Sequence, residues 1–432
     1  MDPAGGCPHA ANARLLARGA VAPVVLPGDV EAMAVIGHDA LKEFLSHPDV
    51  AKGAAHFTAL REGQIPDGWP LKTFATVQGM TTADGDNHRR LRSLVSKAFT
   101  SRRVEALRGR VEEVTAELLD NLPAAAGKGS ASGADVVGAD VVGAKATGAN
   151  VVEANVVGAN VVDLREHFAM PLPMGVICEL LGVDAEFHDQ LHHLSNQIVA
   201  TDIAPEDAMA ANRDIVAVLS TVAASRTANP GDDLTSALIA AREEDGDRLS
   251  GQELIGTLLL MIIAGHETTL NLITNAVRAL CRHRDQLELV QSGKASWSDV
   301  VEETLRWDSP VSFFPFRYPT RDLTVDGTVI PQGTPVLAGY SAAGRDKAAH
   351  GEDADVFDLT RYATGSATRH LSLGHGAHFC LGSSLAKMEA TIALERLFTR
   401  FPDLDVAVTE AELPRHASFV GNSVQQLPVS LG

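Results

Sequence analysis

The chain has 432 residues, 45% of them hydrophobic, which is enough to bury a large core. Its formal net charge of −19 argues against nucleic acid or an anionic membrane surface as a partner, because like charges repel. The four cysteines are sparse and show no paired spacing, which is typical of a reducing cytosol. No signal-peptide pattern opens the chain, and no stretch reaches the roughly 18 consecutive apolar residues that span a bilayer. We therefore expect a cytoplasmic, monomeric protein with no membrane partner.

Residues 1–20 have the composition of a flexible N-terminal tail. No Pro/Gly/Ser-rich linker divides the remainder, so residues 21–432 are expected to form one mainly helical domain with a smaller β-rich part. A five-residue repeat at 133–162, with copies such as Gly-Ala-Asp-Val-Val, interrupts this domain. Six copies are too few to bury a core as a β-helix. We expect a surface loop or short β-ribbon there, with no catalytic role.

A long irregular loop is predicted from Glu62 to Thr82, and loops of that length in compact domains are usually functional. The helix predicted next, from Asp84 to Phe99, carries His88 and Arg92 four residues apart and hence on one face. Other basic residues surround them, so the residues alone favour a solvated basic face.

A long helix is predicted to start at a capping box formed by Ser250 and Glu253 and to run to about His283. Its first half is apolar nearly all round, which indicates burial. The sequence Ala-Gly-His-Glu-Thr-Thr at 264–269 then places polar groups in the middle of a buried helix, which is costly without a purpose. Two interpretations remain open: a helix bend in which a threonine hydroxyl bonds to its own turn, or a proton relay through the acid and the alcohol.

Three later patterns are less specific. Glu303 and Arg306 lie at i, i+3 of a predicted helix, where an exposed ion pair contributes under about 1 kcal/mol. The apolar residues from Val311 to Phe314 lead into strands and face either a pocket or the core. Val325-Asp326-Gly327 predicts a hairpin turn.

The stretch from Leu371 to Gly382 centres on Cys380 and is rich in glycine. Glycines such as Gly374 allow tight turns and close approach of the backbone to a flat ligand. A helix predicted over 384–400 directs its positive end at Cys380, which favours the ionised sulfur.

Three interpretations compete for this stretch. A lone cysteine is usually a small buried hydrophobe. A zinc or other non-haem metal site is suggested by the proximity of His370, His375 and His378 to Cys380, but zinc ligands usually come as two spaced pairs and no second cluster follows. Glycines flanking one cysteine suit a planar macrocycle, as in thiolate-ligated haem.

The stretch from Gly374 to Gly382 resembles the haem-binding loop of the cytochrome P-450 monooxygenases, with Leu373 where that family usually has Phe. The resemblance extends from about Gly28 to the C-terminus. It implies the cytochrome P-450 fold, mainly α, with haem b between a long distal helix and a proximal loop. It also implies Cys380 as the metal ligand, O2 as co-substrate and a hydroxylase or epoxidase activity.

The resemblance also implies roles for individual residues. Glu267 and Thr268 match the family's oxygen-activating acid–alcohol pair, and retention of Thr268 favours a monooxygenase over peroxide-consuming relatives. The remaining cofactor-binding positions are His88, Arg92, Ala264, Gly265, Arg317, Gly374, His378 and Gly382. A structural brace is expected from Glu303, Arg306 and Arg361. The expected pocket walls are Leu71, Phe74, Val77, Ile263, Val311, Phe313, Phe314, Phe419 and Val420.

No reductase is fused to the sequence, so electrons are expected from a separate ferredoxin or flavodoxin and its reductase, with NAD(P)H used only indirectly. The expected docking surface near Cys380 comprises Arg89, Arg102, Arg103 and Lys387. The expected substrate is a hydrophobic steroid, macrolide, terpenoid or polyketide-like molecule of secondary metabolism. A non-haem metal enzyme, a haem-binding sensor and a repeat-mediated interaction protein remain the alternatives.

Overall fold

A computed structural model of the chain describes residues 7–66, 68–126, 160–200, 203–241, 248–363, 365, 367–416 and 418–432. Most of the repeat predicted at 133–162 lies outside these residues, so its predicted conformation stays a prediction. Its last residues are described and enter a short strand that starts at Val161.

The described residues are mostly helical. The α-helices are α1 (Pro8–Leu16), α2 (His38–Ser46), α3 (Thr58–Arg61), α4 (Lys72–Thr76), α5 (Gly85–Ala98), α6 (Ser101–Ala106), α7 (Arg108–Ala126), α8 (Pro171–Leu181), α9 (His188–Val199), α10 (Pro205–Ala228), α11 (Leu234–Ala240), α12 (Gly251–Arg282), α13 (Arg284–Gln291), α14 (Trp297–Trp307), α15 (Tyr340–Ala343), α16 (Lys347–His350) and α17 (Ser383–Arg400). A π-helical turn covers Arg165–Ala169.

The strands are fewer and shorter: β1 (Val21–Leu26), β2 (Val30–Val35), β3 (Val50–Ala51), β4 (Val161–Asp163), β5 (Phe313–Pro319), β6 (Leu323–Val325), β7 (Thr328–Ile330), β8 (Val336–Gly339), β9 (Asp405–Val406) and β10 (Pro428–Ser430). They form a five-stranded sheet in the order β1-β2-β8-β5-β3, a three-stranded sheet β4-β10-β9 and the hairpin β6-β7. Asp326 and Gly327 connect that hairpin with φ of 45° and 74°, which confirms the predicted turn.

Helix α12 is the centre of the helical part and packs against α8, α10, α14 and α17. Its N-terminus has the predicted capping box: Ser250 Oγ accepts from the Glu253 N–H at 3.2 Å, and Glu253 Oε2 accepts from the Ser250 N–H at 2.8 Å. Among the described residues it is the one helix that is long and apolar enough to cross a membrane. Burial in the core accounts for this composition, because every residue from Leu270 to Cys281 is buried.

The mainly helical fold with a smaller sheet is confirmed. The expectation of a flexible tail needs correction over Pro8–Leu16, which forms α1 and docks on the domain. His9 Nε2 lies 2.9 Å from Asp308 Oδ1, and Asn12 Nδ2 donates to Ser341 Oγ at 3.3 Å. These anchors are about 300 residues away along the chain, so local sequence patterns carry no sign of them.

Candidate active site

A cavity of about 260 Å³ lies between the middle of α12 and the loop that precedes α17. Ala264, Gly265 and Thr268 line it on the α12 side. Cys380 and Gly382 line it on the loop side. The fold therefore brings the two motifs that the sequence singled out to opposite walls of one space.

Cys380 is held in this wall by its backbone. Its N–H donates to the Leu373 carbonyl at 2.8 Å, and its sulfur accepts from the Gly382 N–H. Gly374 has φ of +77°, which permits the turn at the base of the loop. Burial raises the pKa of the Cys380 thiol, a penalty that a bound metal cation reverses by ionising the sulfur.

The other three cysteines lie elsewhere. Cys7 is exposed, whereas Cys178 and Cys281 are buried in the helical core. Burial raises the pKa of both core thiols to about 12, as expected for inert packing residues. Cys380 is thus the one cysteine of the four that faces the cavity.

One edge of the cavity is strongly basic. Arg92, Arg317, His378 and Lys52 line it, and the buried ring of His88 packs against His378, tilted by 39°, with centroids 4.0 Å apart. Burial and the charge of Arg317 lower the pKa of Lys52. Burial and the same arginine lower the pKa of His378 to about 2. Lys52 was missed by sequence reasoning, because one lysine after a short strand carries no distinguishing pattern.

These residues fit a flat cofactor with an anionic edge. The nearby carboxylate of Asp84 is engaged by the backbone N–H groups of Lys52 and Gly53, both at 2.7 Å. His88 Nε2 is buried and has no hydrogen-bond partner. Burial and mutual repulsion disfavour the charged forms of Lys52 and His378, and added negative charge at this edge would favour them. The two propionates of a haem would supply that negative charge, and Cys380 would supply the thiolate for its iron.

On the α12 side, the hydroxyl of Thr268 donates to the Ala264 carbonyl at 2.6 Å. This is the bond to its own turn that the sequence left open as one interpretation. Thr268 also lines the cavity, so the other interpretation, a proton relay, stays open beside this bond.

Glu267 points away from the cavity wall and is 4% exposed. Its Oε1 lies 3.3 Å from Arg165 Nη2 and 3.4 Å from His416 Nε2. Burial alone would raise the pKa of Glu267. The approach of His416 Nε2 and the charge of Arg165 outweigh burial and hold this pKa well below its usual range. Adjacent residues on one helix thus face different environments.

Comparison with known proteins decides the family. Residues 297–423 match the cytochrome P-450 family description. The chain is 38% identical to the 2-hydroxy-5-methyl-1-naphthoate 7-hydroxylase of Streptomyces carzinostaticus, over 100% of this chain and 97% of that protein. The chain is a cytochrome P-450.

Solved structures of cytochromes P-450 agree closely with this fold. CYP154A1 from Streptomyces coelicolor A3(2) matches with a TM-score of 0.85 and 41% identity, covering 100% of this chain and 99% of that one. The testosterone-bound CYP154C4 from Streptomyces sp. ATCC 11861 matches with a TM-score of 0.89 and 39% identity, covering 100% and 98%. This cytochrome P-450 is accordingly a monooxygenase that uses haem with a cysteine thiolate ligand and O2.

The predicted substrate walls of this cytochrome P-450 divide into two groups. Val311 and Phe314 line the cavity. The others pack in the cores around it and stay predictions for the substrate-bound enzyme: Leu71, Phe74, Val77, Ile263, Phe313, Phe419 and Val420. The apolar cavity residues that the sequence did not indicate include Met80, Phe99, Ile177, Leu260, Met261 and Leu272.

The predicted brace is buried, unlike an exposed i, i+3 pair. Glu303 and Arg306 are 0% and 1% exposed and form two hydrogen bonds of 2.6 and 2.8 Å. The Nε of Arg361 lies 3.5 Å from Glu303 Oε1. Arg306 also donates to three backbone carbonyls, those of Gly344, Ala354 and Val356. The ion pair therefore ties α14 to the chain segment ahead of the cysteine loop.

The predicted docking residues differ in their partners. Arg102 is exposed, and Arg103 lies 3.6 Å from the carboxylate of Asp232. The two others form ion pairs, Arg89 with Asp86 and Lys387 with Glu302. Their part in docking stays a prediction.

The non-haem alternative finds no support in the histidines near Cys380. His370 Nε2 lies 3.1 Å from Glu302 Oε2, and the ring of His378 packs against that of His88. No group of three or more His, Cys, Asp or Glu within the described ranges is placed to hold a metal ion.

Proposed function

We propose that this cytochrome P-450 hydroxylates a hydrophobic fused-ring molecule and that Cys380 would supply the thiolate that binds the iron of its haem. The observation that carries the proposal is the single cavity bounded by Cys380 on one wall and Thr268 on the other. When bound, the haem supplies the iron at which O2 is activated and one oxygen atom is passed to the substrate.

The basic edge would hold the cofactor. Arg92, Arg317 and His378 line that edge, and His88 lies directly behind His378. Charge-assisted bonds from such donors to carboxylates are short and strong, so they fix both the tilt and the rotation of the ring. The Gly382 N–H donates a hydrogen bond to the Cys380 sulfur and so stabilises its anion.

Thr268 and Glu267 would serve proton transfer. The hydroxyl of Thr268 is fixed by its bond to Ala264 and faces the cavity, so it can hold a proton or a water there. Glu267 directly precedes Thr268 in the chain and would exchange protons with solvent on the other side of α12. The mechanism thus needs the carboxyl group to be supplied with protons from outside the cavity.

The substrate class follows from the walls and from the relatives. The cavity lining includes the apolar side chains of Met80, Phe99, Met261, Val311 and Phe314, which offer apolar contact and few polar groups. One relative is named for a methylated naphthoate and one solved structure holds testosterone, both fused-ring compounds. A steroid or an aromatic polyketide is therefore the proposed class of substrate.

Electrons would come from a ferredoxin or flavodoxin that docks on the face behind Cys380. The exposed Arg102 and the neighbouring Arg103 provide positive charge there on a protein of net charge −19. An acidic electron carrier would be steered to such a patch.

The test is spectroscopic and then catalytic. The reduced protein should give the far-red-shifted Soret band of haem-thiolate on addition of CO, and steroids or aromatic polyketides should shift its ferric spin state. Cys380→Ser should lose the CO band, whereas the exposed-site control Cys7→Ser should keep it. A Cys380→Ser protein that retains the band would overturn the ligand assignment.

A further inference from the structure

A second cavity, of about 600 Å³, lies on the far side of α12 from the haem cavity. Its walls come from the π-helical turn, from α9 and from the C-terminal segment, and they include Arg165, His192 and His416. The residues at its rim are exposed, namely His193, Asp207, Gln425 and Gln426. The cavity is therefore polar and reached by solvent.

Glu267 is the link between this second cavity and α12. Both Arg165 and His416 line the cavity and approach Oε1 of the Glu267 carboxylate, at 3.3 and 3.4 Å. The other oxygen, Oε2, is buried and has no hydrogen-bond partner. The Glu267 carboxylate, one residue before Thr268 in the chain, is thus held on the side of α12 that faces the solvent-accessible second cavity.

We propose that His416 passes protons from the second cavity to Glu267. This inference rests on the proposed function, because it deepens the route by which protons reach the active site. In each transfer, the Nε2–H of the His416 imidazolium gives its proton to Glu267 Oε1. This leaves His416 neutral, with its remaining proton on Nδ1. Rotation of the ring then turns Nε2 toward the second cavity, where it takes a proton from hydronium, so charge and atoms balance without any redox step.

Arg165 does not fill this role, although it touches the same oxygen. A guanidinium does not release its proton at neutral pH. Its Nη1 also donates to Asn271 Oδ1 at 2.9 Å, which holds the group in place. Arg165 therefore positions the Glu267 carboxylate and keeps it anionic until a proton arrives.

The neighbouring histidine pair does not fill it either. His192 Nδ1 lies 3.2 Å from His266 Nε2, and Asn196 Nδ2 donates to His192 Nε2 at 3.0 Å. Because an amide N–H only donates, His192 Nε2 accepts from Asn196 and the N–H of His192 is on Nδ1, facing His266 Nε2. An amide does not supply protons, however. His266 Nδ1 is still 3.9 Å from Glu267 Oε2. Burial lowers the pKa of His266 to about 3, so this ring is neutral at physiological pH.

His416 combines the two properties that a proton donor needs here. Its side chain is 14% exposed and lines the second cavity, while its buried Nε2, which has no hydrogen-bond partner among the described residues, lies 3.4 Å from the Glu267 carboxylate. The charged and titratable groups that face it or line the same cavity are Asp163, Arg165, Glu166, His192, His193, Asp207 and Glu267. Imidazole is the side chain that exchanges protons readily near pH 7, and of the three imidazoles that line the cavity it is His416 that lies against the Glu267 carboxylate.

The contact is tested first, by NMR of the reconstituted protein with 15N-labelled histidine. The His416 ring signals, assigned from their loss in His416→Gln, should shift in Glu267→Gln, whereas those of His193 should not move. The shift itself is measured in a protein that retains His416, so it does not depend on the activity of His416→Gln, which is needed only to assign the signals. Unchanged His416 signals in Glu267→Gln would overturn the inference.

The transfer is tested second, by coupling. His416→Gln should lower the product formed per NAD(P)H consumed by roughly tenfold or more and raise the solvent deuterium isotope effect. The matched control His193→Gln, on the wall of the same cavity, should behave as the parent. Parent-like coupling in His416→Gln would overturn the relay while leaving the proposed function intact. Failure of the proposed function is distinguishable, because the parent protein would then lack the CO band.

Discussion

Nη2 of Arg92 donates a hydrogen bond of 2.7 Å to the backbone oxygen of Phe379, the residue before Cys380. The same guanidinium lines the cavity edge where the propionates would lie. One side chain on α5 therefore holds the cysteine loop and faces the cofactor. Loss of the planar guanidinium of Arg92 should therefore weaken both the cysteine loop and the binding of the cofactor.

Arg92→Lys keeps the positive charge but removes the planar pair of donors. A hydrogen bond from a charged group contributes about 1.5–3 kcal/mol, so haem should leave the variant roughly ten- to a hundredfold faster. The measurement is the rate of haem transfer to excess apomyoglobin. Arg89→Lys, at an exposed position of the same helix, should release haem at the parent's rate. Equal rates for both variants would contradict the assignment.

Glu303→Ala should give protein that lacks haem. The substitution leaves Arg306 buried without its carboxylate, and breaking a buried ion pair costs about 3–5 kcal/mol. It also removes the acceptor for the Asp358 N–H at 2.9 Å, in the segment ahead of the cysteine loop. Haem content and the urea unfolding midpoint measure the effect.

The control for the brace is Glu288→Ala, which changes an exposed glutamate on α13. It should leave haem content and the unfolding midpoint unchanged. Full haem occupancy together with an unchanged midpoint in Glu303→Ala would defeat the structural role.

Thr268→Val should uncouple electron consumption from product formation. Valine keeps the shape but removes the hydroxyl that faces the cavity, so product per NAD(P)H should fall roughly ten- to a hundredfold while peroxide rises. The matched control is Thr274→Val, because Thr274 makes the same bond to its own turn, to the Leu270 carbonyl at 2.8 Å, but is fully buried. Similar uncoupling in both variants would mean that the bond to the helix, and not the cavity, matters.

Glu302 should make the fold sensitive to acid. Burial would raise the pKa of Glu302, but hydrogen bonds from His370 and Lys387 lower it to about 2. A carboxylate with a lowered folded-state pKa stabilises the protein above its unfolded pKa, and this stabilisation is lost as the pH falls toward the folded value. The free energy of unfolding should therefore decrease from about pH 5 downward.

The test of this pH dependence compares urea unfolding at several pH values. Glu302→Gln should have a shallower dependence below about pH 5 than the parent, since glutamine does not titrate. Glu288→Gln, on the exposed face of α13, should retain the parent's slope. Identical slopes for all three proteins would show that Glu302 does not contribute.

The sequence by itself determined the features that depend on neighbours along the chain. The capping box at Ser250, the turn at Asp326 and the helix carrying His88 and Arg92 follow from local hydrogen bonds and helical period, so short patterns predict them. The spacing of glycines around Cys380 likewise indicated a flat ligand before any fold was known.

Only the tertiary structure decided which environment each of these side chains meets. It turned Glu267 toward Arg165 and His416, buried the Glu303–Arg306 pair, added Lys52 to the basic edge and docked α1 through His9. Each of these outcomes depends on burial or on partners distant in sequence. Burial and charge pairing are properties of the assembled fold, because dielectric surroundings and partners arise only when separate elements pack together.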